Sequence, residues 1–118
     1  MHKYKDLIVW QKARVLVKNI YNLVSKFPDD EKFGLTSQIK RSVVSIPSNI
    51  AEGAGRNSDK DFVRFLNISN GSAFELEAQL YLSFDLEFIS NEKLEIDLEQ
   101  ITEIQKLIYG FKNRLLSN

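Results

Sequence analysis

The stretch RSVVSIPSNIAEGAGR, residues 41–56, decides how the chain is read, because it places a proline inside an apolar run and then two glycines. Leu35, Ile39, Val43, Ile46, Ile50 and Ala54 recur at three or four residues, the spacing of one helical face. That stripe stays in phase across Pro47, so the pattern predicts one helix from about residue 35 to 52 with a kink at Pro47. The physical cause is the missing N–H, which deprives the Val43 carbonyl of its helical partner while the ring crowds it. Ser45 and Ser48 are the side chains expected to satisfy the disturbed backbone. A helix that stops and restarts at Pro47 is the alternative. Gly53 and Gly55 then read as the helix end, and Ser58 followed by Asp61 as the amino-terminal cap of the next helix. GAGRNS is therefore a corner. It is no phosphate loop, because no strand precedes it and the P-loop lysine is absent.

Working outward, helical spacing dominates. From about Asp6 to Lys26 two apolar rows appear, Leu7, Trp10, Val17, Tyr21 and Val24 beside Val9, Leu16, Ile20, Leu23 and Phe27, more than one core face needs. A third helix is predicted over about 59–86 and a fourth over about 94–116, separated by EFISNEK. In the third, SNGSA puts Ser69, Gly71, Ser72 and Ala73 where large residues are expected, which predicts close approach of another backbone along that segment, a local irregularity being the alternative. Short loops imply antiparallel neighbours. The expected fold is all-α, an up-and-down antiparallel four-helix bundle, with residues 1–118 as a single domain.

Composition removes several functions. The sequence contains no cysteine, which excludes disulfides, thiolate zinc sites and a cysteine nucleophile. His2 is the single histidine and is expected at a mobile terminus, so neither a Ser/His/Asp triad nor the Glu-x-x-His pairs of di-iron bundles can be assembled. Glu75 and Glu77 lie two apart and point to different helix faces. An enzyme is not expected, nor a cofactor or metal. No apolar segment approaches a membrane span and the amino terminus lacks the core of a secretory signal, so the default compartment is the cytoplasm.

Charge is neutral overall but divided. Residues 1–64 hold 12 Lys and Arg against 7 Asp and Glu, net +5, and residues 65–118 hold 4 against 9, net −5. Either helices of opposite sign pair within the chain, or two surfaces of opposite sign face outward. Beside the apolar stripe of the second helix runs a polar one, Gln38, Arg41, Ser45, Asn49, Glu52 and Arg56. Its short Ser and Asn suit a packed, hydrogen-bonded interface better than a solvated face, although Arg56 and Glu52 can pair locally.

A family resemblance attaches to these residues. YKDLIVWQKA, FPDDEKFGLTSQIKRSVVSIPSNIAEGAGR and GSAFELEAQL together resemble the bacterial four-helix-bundle proteins of the 23S rRNA intervening-sequence family, over nearly the whole chain. The resemblance implies a homopentameric barrel of four-helix protomers and no established enzymatic activity. A distantly similar group serves as accessory to the reverse transcriptase of diversity-generating retroelements and is markedly basic, whereas this chain is neutral. The leading expectation is a non-enzymatic oligomeric adaptor that binds RNA, DNA or a ribonucleoprotein through basic residues of the amino-terminal half: Lys12, Arg14, Lys18, Lys40, Lys60 and Arg64, with Arg41 and Arg56 nearby. The alternative is a protein-interaction scaffold without nucleic-acid contact.

Overall fold

Caps and chain breaks set where the helices begin and end. The computed structural model describes residues 2–117. After a 3-10 turn at Tyr4–Asp6, α1 spans Ile8–Val24; a second 3-10 turn, Asp29–Glu31, leads to α2 at Leu35–Ala54, then α3 at Asp59–Asp85 and α4 at Asn91–Leu116. The Asp61 N–H donates to Ser58 Oγ at 3.1 Å, which satisfies an orphan donor of α3, and Asp59 and Asp61 complement the positive end of its dipole. Ser90 does the same for α4, accepting from the Lys93 N–H at 3.1 Å, so that helix starts three residues before the predicted Leu94.

The carboxyl end of α3 is closed without glycine. Glu87 stands at φ 65°, the Phe88 N–H reaches the Ser83 carbonyl at 2.9 Å and the Glu87 N–H reaches Phe84 at 2.9 Å, the paired bonds of a Schellman motif. A side chain in the left-handed region costs roughly 1 kcal/mol that glycine avoids. Glu87→Gly is therefore expected to raise stability by about 0.5–1 kcal/mol in urea melts, the entropy of the unfolded glycine offsetting part of the gain.

Cross-chain contacts fix the topology. Ser42 and Ser45 of α2 bond Glu75 and Ser72 of α3, Glu77 and Asn67 of α3 bond Gln105 and Lys112 of α4, and Asn19 of α1 bonds Gln100 of α4. Numbers that rise on one helix fall on its neighbour, so each adjacent pair is antiparallel. Lys12–Glu103 beside Asn19–Gln100 shows this for α1 and α4, and His2–Ala54 beside Tyr21–Lys40 for the amino-terminal arm and α1 against α2. Four stripes meet in one core, among them Leu16 and Ile20 of α1, Ile46 and Ile50 of α2, Leu66, Leu76 and Leu80 of α3, and Ile101, Ile104 and Ile108 of α4.

Pro47 lies inside an unbroken α2, so the helix does not stop and restart there. The polar groups around it come from both helices. Ser69 of α3, fully buried, donates to the Ile46 carbonyl at 2.9 Å, and Asn49 Nδ2 donates to the Ser45 carbonyl at 2.9 Å. Ser45 itself bonds Ser72 at 2.8 Å, while Ser48 is exposed.

The glycine that close packing requires is Gly53, in the same α2–α3 seam that SNGSA joins. Gly71 is exposed and an added Cβ there would meet nothing within 4 Å. SNGSA does lie against α2, with Ser69 and Ala73 buried and Ser69 on the Ile46 carbonyl, but the missing side chain is needed at Gly53, where an added Cβ would stand 2.7 Å from Phe65 Cβ and 2.8 Å from Phe62 Cδ1.

Candidate interaction surfaces

Among the described residues, the outer face of α3 carries a long run of exposed apolar positions. Between residues 68 and 82 its exposed positions are Ile68, Gly71, Phe74, Ala78, Tyr81 and Leu82, with Glu75 the single charge among them. Ile68 is 44% exposed, Phe74 55%, Tyr81 48% and Leu82 53%. Four large apolar side chains open over four turns of one helix exceed the scattered exposure of an ordinary surface. The sequence reading did not single them out, although apolar residues on every side of a helix signal that both faces are covered.

A second surface lies where the α1–α2 connection folds back. Tyr21, Phe33 and Val44 line an open groove of about 530 Å³ whose other walls include Lys32, Lys40 and Arg41. The Lys40 amino group sits 5.0 Å from the Tyr21 ring centroid and that of Lys32 5.6 Å from the Phe33 ring, so both cations are held over aromatic faces. Phe33 is 90% exposed.

The residues expected to touch nucleic acid divide among three places. Arg14 and Lys18 are exposed one turn apart on α1, Arg14 over the Trp10 ring at 5.7 Å, and with Tyr21 and Lys40 they form a stripe that alternates aromatic and basic groups. Lys12 lies on another face of α1 and pairs with Glu103 of α4 at 3.3 Å. Lys60 and Arg64 lie at the α2–α3 corner, where Arg64 pairs with Asp61 at 3.4 Å.

The polar stripe of α2 also separates. Ser45 and Asn49 are half-buried and bonded to one another and to Ser72, so their hydrogen-bonded contact is made within the chain against α3. Gln38, Arg41, Glu52 and Arg56 remain exposed, Arg56 paired with Glu52 at 2.9 Å. Arg56 and Arg64 both stand over the Phe65 ring, at 4.6 and 4.7 Å. On α1 the first apolar row is half-covered as well: Leu7, Trp10 and Val17 pack on the core.

Two titratable groups lie away from these surfaces. His2 is held against the bundle end, its N–H on the Ala54 carbonyl at 3.0 Å and its ring against Phe62 and Phe111, which replaces the mobile terminus expected of it. Asp97 is fully buried on α4; Lys93 bonds its Oδ1 at 2.9 Å and its Oδ2 has no partner. Burial pushes the Asp97 carboxyl above its ordinary 3.8, and the Lys93 bond and charge only partly oppose this. The folded chain thus holds that proton more tightly than the unfolded chain. The stability Asp97 contributes is full below the unfolded pKa and is lost as pH rises through the folded one. Asp97→Asn should accordingly stabilise the fold by on the order of 1 kcal/mol at pH 7, with the difference shrinking toward pH 3.8 in thermal melts. Among the described residues no group of three His, Cys, Asp or Glu is placed to hold a metal, and no helix is long and apolar enough to cross a membrane.

Charge is not neutralised between the halves. Of four ion pairs made by Lys or Arg among the described residues, only Lys12–Glu103 joins residues 1–64 to residues 65–118. Pairing of opposite helices therefore does not account for the divided charge.

Known proteins share this architecture. The 23S rRNA-intervening sequence protein family matches residues 5–110. The crystal structure of a protein with unknown function from the S23 ribosomal protein family of Bacteroides thetaiotaomicron VPI-5482 is 34% identical and superposes with a TM-score of 0.85, covering 92% of this chain and 98% of that one. No curated protein matches. With nine-tenths of its length matched, the chain belongs to the 23S rRNA-intervening sequence protein family.

Proposed function

We propose that this chain is a non-enzymatic scaffold that works as a homo-oligomer and acts by protein contact. The observation that carries the reading is the outer face of α3, where Ile68, Phe74, Tyr81 and Leu82 stand in the open around a single charge. The presence of two apolar rows on α1 is a weaker motive for assembly, because Trp10 and Val17 of the first row are already half-covered by the chain's own core and the second row is buried in it. Five copies is the number the family resemblance implies, and a bend of α2 at Pro47 is the shape we assign to its protomer. An assembly stabilises its folded subunits by mass action, so the apparent thermal midpoint is expected to rise with chain concentration. A midpoint independent of concentration over about two orders of magnitude would count against the scaffold.

One observation favours the adaptor as a second reading. Trp10, Arg14, Lys18, Tyr21 and Lys40 interleave rings and cations along α1 and α2, an arrangement suited to single-stranded nucleic acid, and a ring would repeat it in every copy. Binding should then weaken steeply with salt, each phosphate contact contributing a log-log slope of roughly −0.7 on single strands and −0.9 on duplex. Arg14→Glu with Lys18→Glu is expected to lower both affinity and slope in electrophoretic shifts, and Lys12→Glu, on the Glu103 side, to change little. Absence of binding to structured RNA, single-stranded DNA and duplex DNA at about 50 mM salt would leave the scaffold alone.

A further inference from the structure

The geometry points to a head-to-tail contact between copies, in which the outer face of α3 on one protomer seats on the Tyr21, Phe33 and Val44 groove of the next. It rests on the scaffold reading and names the surfaces that meet.

Charge selects the pairing. From Phe65 to Asn91 the chain holds Glu75, Glu77, Asp85 and Glu87 and no Lys, Arg or His; from Lys32 to Ala51 it holds Lys32, Lys40 and Arg41 and no acid. The acids of the Asp29–Glu31 turn are not among the residues lining the groove. An antiparallel two-fold contact of α3 on α3 would set Asp85 and Glu87 near Lys60 and Arg64 of the other copy but would press Glu75 on Glu75 at the apolar centre, and groove on groove would bring Lys32, Lys40 and Arg41 together. Like charges across an interface are strongly disfavoured, so each surface is suited to the other and not to itself. Because only one Lys or Arg ion pair among the described residues joins the two halves of the chain, and it uses none of these groups, they remain available for a neighbouring copy.

Shape and composition agree. Phe74, Tyr81 and Leu82 on one side, and Tyr21, Phe33 and Val44 on the other, form apolar centres with charge at the rim, the composition of stable interfaces. A contact between two different patches is heterologous, and it generates a closed ring when the rotation between copies closes.

Charge reversal tests the pairing. Lys40→Glu with Arg41→Glu makes the groove acidic, and Asp85→Lys with Glu87→Lys makes the rim of the α3 face basic. Either pair alone should raise the concentration of half-dissociation on the order of tenfold or more, read by sedimentation with helical content unchanged. The chain carrying all four substitutions should regain its assembly. If both pairs leave assembly unchanged, or if the fourfold variant stays dissociated while folded, the head-to-tail pairing is overturned. The scaffold reading fails separately, by a wild-type chain that is monomeric throughout.

Discussion

Gly53→Ala is expected to destabilise the fold by about 1–3 kcal/mol, even though alanine is the better helix former by roughly 1 kcal/mol. The new Cβ would stand 2.7 Å from Phe65 Cβ and 2.8 Å from Phe62 Cδ1, closer than carbon atoms approach. Neither ring is free to yield. Both are buried, and Phe62 is held edge-on to Phe111 at 5.2 Å and against His2 at 5.1 Å. Relief therefore requires α2 and α3 to part along the seam joined by Ser42, Ser45 and Ser69. Gly55→Ala is the control: its nearest contact would be 3.6 Å, its φ is −85°, and it should fall within about 0.5 kcal/mol of the parent. Urea melts of both variants decide the matter, and a Gly53→Ala chain as stable as the parent would remove the close contact from the account.

That glycine also shows where the sequence was legible and where it was not. The stripe from Leu35 to Ala54 gave α2 its span, and Ser58 with Asp61 gave α3 its start, because both signals are local. Gly53 was read as a helix end because a glycine after an apolar stripe carries the same local signal as one beneath a crossing helix. Only the position of Phe62 and Phe65, on the next element, separates the two. Ser90 was passed over since the first apolar residue of α4 comes four positions later. Candidate surfaces divided in the same way. Spacing places Arg14 and Lys18 one above the other, but nothing local tells that Lys12 meets Glu103, or that Ser45 and Asn49 turn inward. Phe74, Tyr81 and Leu82 were legible in principle as apolar residues off the packing row of α3; their exposure required knowing which face α2 and α4 leave open.

Phe74→Glu with Leu82→Glu is expected to dissolve the assembly and leave the protomer folded. Both side chains are more than half exposed, so little core packing is lost. At an interface each is a large apolar anchor, and removal of central anchors of this kind costs about 2 kcal/mol or more apiece. Two of them, about 4 kcal/mol together, correspond to a rise of roughly a thousandfold in the concentration of half-dissociation. Added acid in a segment already free of cations works in the same direction. Ile96→Glu, at an exposed apolar position of α4 outside that face, should leave assembly within severalfold of the parent. Far-UV circular dichroism with sedimentation velocity separates the outcomes. A doubly substituted chain that is folded and still assembled would mean that the outer face of α3 is not where copies meet.

The most direct measurement is the mass of the unmodified chain in solution. Sedimentation equilibrium from below about 1 µM to about 100 µM spans the range in which contacts of this kind assemble. The account predicts a mass several times the 13.6 kDa of one chain at the upper end, with five copies the number implied by the resemblance, and dissociation on dilution. A mass of 13.6 kDa at every concentration would contradict it.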